Sequence, residues 1–156
     1  MKWPIGFEPE KSWVYGRNEI EIAAPAERVW RWLARAANWP KWYAHAANVT
    51  FISGNPPDLS PDAEIRWDAY GFACTSRVLI FEPPYELGWN TQTALSAYHG
   101  WLIIPDEHGG CRVITEVCQA GVVPGLVWWI MRPIVQRVHQ TWLESLKRMA
   151  ESGEPL

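Results

Sequence analysis

His99 is the ionisable side chain that its sequence surroundings best equip for chemistry. In the segment Tyr-His-Gly-Trp-Leu-Ile-Ile (98–104) it alternates with Trp101 and Ile103, so a strand there turns all three to one face. Among indoles an imidazole has its charged form disfavoured by desolvation, which suits a general base or a hydrogen-bond donor to a bound molecule. The same position also fits a core histidine satisfied by Thr115, a backbone carbonyl or water. His45, His108 and His139 show no metal-ligand spacing, and no cysteine cluster accompanies them, so neither a metal site nor a cofactor is expected. The chain has no Gly-rich phosphate loop, no Gly-x-Ser-x-Gly elbow and no nucleophilic triad.

Twelve tryptophans are the other source of chemistry. A buried indole removes about 150–250 Å² from water, roughly 4–6 kcal/mol, and a rigid ring makes a low-entropy contact to a flat apolar ligand. Alternation predicts where three of them point. In 64–70 Ile65, Trp67 and Ala69 share a face, in 85–92 Leu87, Trp89 and Thr91 do, and in 111–118 Val113, Thr115 and Val117 do. Glu116 and Arg112 then fall on the opposite, solvated face, as do Tyr98 and Tyr70. The run 77–81 is apolar on both faces, and the facing of 73–82 does not follow from its pattern.

These strands belong to a β-like region from Glu64 to Gly121, with turns at 82–86, around Thr93–Ser96 and at 105–110, and short turns imply antiparallel pairing. Ahead of them lies a short strand (Ile20, Ile22) and then Ala-Pro, which starts a helix carrying Val29, Trp30 and Leu33. A second helix start follows, with Asn38 as cap and Pro40 in the first turn. A strand near Val49–Ile52 precedes a Pro-rich loop over 53–64. The last element, about Pro124 to Ser152, repeats Leu126, Ile130, Ile134, Val138, Trp142, Leu146 and Met149 every three or four residues, the pattern of a long amphipathic helix. Pro133 inside it predicts a local loss of hydrogen bonding near Trp129 and Ile130. The stripe has one evident place to be buried, across the concave face of the sheet. Residues 1–17 carry Trp3, Phe7, Trp13 and Tyr15, too apolar for a solvated tail, and are expected to pack on the domain as an arm; 153–156 form a tail.

Three features in order carry a family resemblance: Ala-Pro then Val-Trp then Trp-Pro-x-Trp in 24–42, the turn and strand HGGCRVITEV (108–117), and the ending HQTWLESLKRMAE (139–151). Over residues 18–152 the chain resembles the START-like (SRPBCC) superfamily, the polyketide cyclase/dehydrase and lipid-transport group, with Cys111 in place of the common Thr. The resemblance implies an α+β helix-grip fold: a curved antiparallel sheet of six or seven strands around a long C-terminal helix, with two short helices after the first strand. It also implies an internal apolar cavity between sheet and helix.

The expected function is binding or transport of a small hydrophobic molecule, a lipid, isoprenoid or polyketide-like ring system. Trp67, Trp89, Trp101, Ile130 and Ile134 would form the wall, and His99 and Thr115 the polar contacts. Two alternatives stay open: a cyclase/dehydratase-like enzyme with His99 as the proton-transfer group, and a chaperone-activator-type interaction module using an exposed patch of Tyr98, Leu102, Ile104 and Ile114. A net charge of −3 without a basic run excludes ordinary nucleic-acid binding. Residues 122–135 meet Arg132 after about ten apolar positions against the roughly twenty a span needs, so stable membrane insertion is not expected, although transient membrane contact is compatible with the pattern. Cys74, Cys111 and Cys118 form no C-x-x-C pair; Cys111 and Cys118 on one strand would lie ~23 Å apart, beyond disulfide reach. Buried thiols in a reducing compartment, and no apolar leader at the N-terminus, point to the cytoplasm. The sequence carries no signal for oligomeric state.

Overall fold

In the computed structural model, which describes residues 1–92, 96–120 and 122–155 apart from the side chains of 120, 122–125, 127 and 128, seven strands form one antiparallel sheet. They are β1 (Val14–Ile22), β2 (Ala46–Ser53), β3 (Glu64–Ala69), β4 (Phe72–Glu82), β5 (Glu86–Gln92), β6 (Ser96–Pro105) and β7 (Cys111–Ala120), in the order β1-β7-β6-β5-β4-β3-β2. The first strand pairs with the last, so the chain must cross the width of the sheet to begin β2. It does so through α1 (Ala26–Ala34) and α2 (Trp39–Trp42), which follows a 3-10 turn at Ala36–Asn38. α3 (Val122–Ser152) closes the fold. This is the α+β helix-grip arrangement. The predicted turn at Thr93–Ser96 lies mostly outside the described residues, as do the side chains of Pro124 and Val127.

The alternation read from sequence holds where strands are regular. Ile65, Trp67, Leu87, Trp89, Val113, Thr115 and Val117 are buried on one face. β4 is different: a bulge lies between Val78, opposite Trp89, and Ile80, opposite Gly88. One extra residue reverses the facing, so Val78 is buried while Phe81 comes inward onto Trp30 at 5.2 Å between ring centroids. That reversal is why the run 77–81 looks apolar on both sides. Arg77 is exposed and ion-paired with Asp62.

α3 runs as one element through Pro133, which has no N–H to offer the Trp129 carbonyl. Its stripe is seated only in part. Val135, His139, Trp142, Leu143, Leu146 and Ala150 are buried, whereas Leu126, Trp129, Ile130 and Ile134 are 72%, 65%, 44% and 51% exposed. A row spaced by four residues overshoots the 3.6-residue turn by about 40° each step, so it winds through ~160° between Leu126 and Trp142. The expectation of a stripe buried along its whole length is thereby corrected: its start and its end face opposite sides of the helix. Gly16 of β1 lets α3 come close, because a Cβ there would lie 3.2 Å from Val117 Cγ1 and 3.4 Å from Val135 Cγ1.

The outer face of the sheet is covered as well. Trp3 and Phe7 pack on Tyr98 with ring centroids 5.5 and 5.8 Å apart, and the Tyr98 hydroxyl donates to the Lys2 carbonyl. The Lys2 backbone N–H donates to the Glu86 carboxylate. Gly88 leaves the space that the Tyr98 phenol occupies. Tyr98 does point outward, yet it is fully buried, Ile114 is buried, and Leu102 and Ile104 are half-buried. The patch expected to be free for a protein partner is therefore not a free surface.

Trp142 and Trp129 sit on one helix with opposite surroundings. Trp142→Ala should cost about 3–5 kcal/mol in urea unfolding, while Trp129→Ala should stay within about 0.5 kcal/mol. Similar losses for the two would contradict the seating of α3 described here.

Candidate functional site

The inner face is organised around indoles. Trp142 of α3 meets Trp101 (5.2 Å between centroids), Trp39 (5.5 Å), Trp89 (5.9 Å) and Trp67 (6.0 Å), and stacks on Tyr43 at 4.4 Å with an interplanar angle of 9°. Trp67, Trp89 and Trp101, expected to line a cavity wall, thus all pack on Trp142, and Trp89 also lies 6.1 Å from Trp101 between ring centroids. All three are at most 2% exposed.

Their hydrogen bonding divides them. Trp39 Nε1 donates to the Leu33 carbonyl (2.9 Å), and Trp67 Nε1 donates to Ser76 Oγ (3.0 Å), which is joined to Thr91 Oγ1. The indole nitrogens of Trp89, Trp101 and Trp142 are buried with no partner. A buried donor left unmatched costs about 1–3 kcal/mol, and Trp42 on α2 carries a fourth such group outside the rings gathered on Trp142.

His99 lies at the edge of this set, half-buried on β6 opposite Val117 of β7. Its ring lies within 20° of parallel to those of Trp89 (5.8 Å between centroids) and His139 (5.2 Å), meeting the latter edge to edge. Nδ1 of His99 is 3.1 Å from Nε2 of His139, and Nδ1 of His139 is 2.9 Å from the Val135 carbonyl. Burial pushes the His139 pKa down to about 4, the Val135 carbonyl opposing the shift. Burial, and then the neighbouring His139, holds His99 well below the usual histidine range. Both rings are therefore neutral near neutrality, and the pair can accept or relay a proton but cannot supply a resident positive charge.

The other expected positions are not all brought here. Thr115 is buried opposite Trp101, and its hydroxyl donates to the Gly100 carbonyl (3.2 Å), not to His99. Ile130 and Ile134 are on the exposed flank of α3. The sequence pattern set His139 aside as lacking metal-ligand spacing and did not mark Trp39 or Tyr43 as site residues. The available signal for His139 was its spacing, three residues before Trp142 and four after Val135, on the row that is buried. A second polar group closes the other side of Trp142: the Tyr43 hydroxyl bonds to that of Tyr70, and His45 lies 4.9 Å from the Tyr70 ring. Burial raises the Tyr43 pKa far above the usual phenol value and pushes Tyr70 up to about 12, so neither is a ready base. Cys74, Cys111 and Cys118 are free and buried, each pushed up to about 11 by burial, which makes them poor nucleophiles. Among the described residues no three His, Cys, Asp or Glu side chains converge as metal ligands.

The neutral pair has a measurable consequence. Between the ordinary histidine value of 6.5 and the lowered values, the unfolded chain binds protons that the folded chain does not. Stability is therefore full above that value and falls as the solution is acidified, by up to about 1.4 kcal/mol per pH unit for each of the two imidazoles. Urea unfolding at about pH 7 and about pH 5 should show the loss, and a His99→Asn/His139→Asn variant should flatten it. Equal midpoints in the unsubstituted protein would mean that the pair is solvated.

Comparison with known proteins places this geometry. Residues 16–151 match the family described as polyketide cyclase / dehydrase and lipid transport. No curated protein matches the sequence. A Helicobacter pylori protein described as hypothetical superposes with a TM-score of 0.88 at 22% identity, over 96% of this chain and 95% of that one. The Zhui aromatase/cyclase of Streptomyces sp. R1128 superposes with a TM-score of 0.73 at 15% identity, over 90% and 98%. The di-domain ARO/CYC BexL of the BE-7585A biosynthetic pathway gives 0.70 at 22% identity, over 88% of this chain and 46% of that one. At such identities the superpositions establish the fold, and the matched span, which takes in every strand except the first residues of β1, establishes more: this chain belongs to the polyketide cyclase/dehydrase and lipid transport family.

Proposed function

We propose that the chain binds a small, flat hydrophobic molecule (a lipid, an isoprenoid or a polyketide-like ring system) between the sheet and α3, at the edge of the indole set where His99 meets His139. One observation carries the reading: the unpartnered indole N–H groups of Trp89, Trp101 and Trp142 in an aromatic set that ends, through Trp89, at the half-buried His99. A core shaped for packing alone has reason to pair its donors, as it does for Trp39 and Trp67, although Trp42 on α2 also goes unpaired. A ligand with an apolar body and a few oxygens satisfies both needs at once. Family membership supports the same class of ligand. Affinity would come from apolar burial, so shortening the ligand should weaken it by roughly 0.8 kcal/mol per methylene.

A cyclase/dehydratase-like enzyme is the second reading, favoured by the neutral His99–His139 pair, which has the form of a general base. The nearby strand carboxylates weigh against it, since Glu86 and Glu116 lie on the opposite face of the sheet from His99 and Trp101. The chaperone-activator reading loses its surface to the N-terminal arm. No helix among the described residues is long and apolar enough to cross a membrane. The exposed flank of Leu126, Trp129, Ile130 and Ile134, with exposed Arg132 and Arg137, suits transient docking on an anionic bilayer during loading. Three free, buried thiols suit a reducing compartment, and the cytoplasm is the proposed location.

Native mass spectrometry of freshly purified protein tests the binding reading. A small-molecule mass excess that disappears on denaturation is the expected result, and His99→Ala should keep most of it. An unliganded mass, together with no uptake of added fatty acid or naphthalene, would contradict the reading. Loss of turnover of an added polyketone by His99→Ala, with binding intact, would establish the enzyme instead.

A further inference from the structure

The hydrogen bonds of the histidine pair have only one consistent direction. The Val135 carbonyl can only accept, so Nδ1 of His139, 2.9 Å away, carries the proton. In the neutral ring Nε2 of His139 is then bare, and the atom 3.1 Å from it, Nδ1 of His99, must be the donor. One lone pair is left over, on Nε2 of His99, and it has no hydrogen-bond partner among the described residues. The α3 backbone thus fixes, through His139, which nitrogen of a β6 histidine is available. The surroundings are apolar or neutral: Trp89 on one side, His139 on the other, Val117 across the strand pair and Trp142 behind His139. Among the described residues no lysine or arginine forms a hydrogen bond or ion pair with either ring.

We infer that the ligand is an uncharged ring compound bearing a hydroxyl group whose proton is donated to Nε2 of His99, and that His139 is the positioning residue that sets this polarity. The inference rests on the binding reading above and narrows it. A carboxylate or phosphate at this place would set lone pair against lone pair in an apolar setting with no compensating cation, so fatty-acid-like anions are rejected. A bare hydrocarbon fits the indoles but leaves the lone pair unmet. The indole N–H donors of Trp89, Trp101 and Trp142 add the complementary preference, since a second oxygen on the ligand, carbonyl or ether, finds donors in the same aromatic set. The favoured ligand class is therefore a phenol or hydroxylated ring system that also carries an accepting oxygen.

Two measurements on the intact protein test this. With 15N-labelled histidine, long-range proton–nitrogen NMR of the free protein should show His99 protonated at Nδ1 and bare at Nε2; protonation at Nε2 would overturn the inference without any ligand. Calorimetric titration with three probes of one ring shape, 2-naphthol, naphthalene and 2-naphthoate, reads the polarity directly. 2-Naphthol should bind roughly three- to tenfold more tightly than naphthalene, the margin of one net hydrogen bond, and 2-naphthoate should bind more weakly than either. Addition of 2-naphthol, but not of naphthalene, should shift the Nε2 resonance of His99. Equal binding of 2-naphthol and naphthalene, or tightest binding of 2-naphthoate, overturns the inference and leaves the apolar site standing. Binding of none of the three overturns the binding reading, and the inference with it. His139→Phe removes the acceptor, so it should abolish the preference for 2-naphthol over naphthalene, read as the ratio of the two affinities; a retained preference would show that His139 does not set the polarity. Should that variant fail to fold, the measurements on the unsubstituted protein still decide.

Discussion

The rotation of α3 about its own axis is the constraint on which the rest depends, and Trp142 sets it. Five aromatic rings, from α2, the α2–β2 connection, β3, β5 and β6, converge on that one indole. Its burial contributes roughly 4–6 kcal/mol of apolar transfer, comparable with the net stability of a whole domain. Once Trp142 is seated, helical geometry leaves little choice. At about 100° per residue, Val135 lies ~20° and His139 ~60° from it, while Ile134 and Ile130 lie ~80° and ~120° away on the other side. Val135 and His139 must face the sheet, and the two isoleucines must turn from it.

The chemistry of the site follows from that rotation. His139 arrives in an apolar interior where, among the described residues, two groups satisfy it, the Val135 carbonyl one turn back and His99 across the gap. Low polarity keeps both rings neutral, and the fixed carbonyl dictates which nitrogens carry protons. The indoles divide as well. Trp39 and Trp67 find a carbonyl and a hydroxyl; Trp142 on α3, Trp89 and Trp101 on the strands facing it, and Trp42 on α2 find neither. Trp89, one of the unsatisfied donors, has its ring 5.8 Å from that of the half-buried His99. On the opposite face the arm satisfies Glu86 and Tyr98, so the polar needs of the sheet are met there by the chain itself.

Much of this was legible in the sequence because its cause is local. Period-two alternation placed Trp67, Trp89, Trp101 and His99 on one face, and Ala-Pro with Asn38 and Pro40 marked two helix starts. Asn38 does occupy the N-cap position of α2, although its side chain makes no capping hydrogen bond. What the pattern hid has a physical reason in each case. The bulge after Val78 reverses facing in mid-strand, and a run that is apolar on both sides gives no sign of where the extra residue falls. Rows spaced by four residues look continuous on paper but wind around a helix, so Ile130 and Ile134 read as neighbours of Trp142 when they lie on another flank. Thr115 had the right facing, yet its hydroxyl is taken by the Gly100 carbonyl across the strand pair, a contact that depends on register and not on composition. The partner of His99 came from an element forty residues on, whose rotation no strand pattern specifies.

The most direct test is where a ring compound lodges. Crystals grown with 6-bromo-2-naphthol, measured at the bromine absorption edge, locate the ring by its anomalous signal independently of any fitted side chain. The expected result is a bromine peak between the sheet and α3 in contact with Trp89, with the naphthol oxygen within hydrogen-bond distance of Nε2 of His99. A peak confined to the exposed flank of α3 or to the arm on the outer face, with the indole set closed and undisturbed, would contradict it.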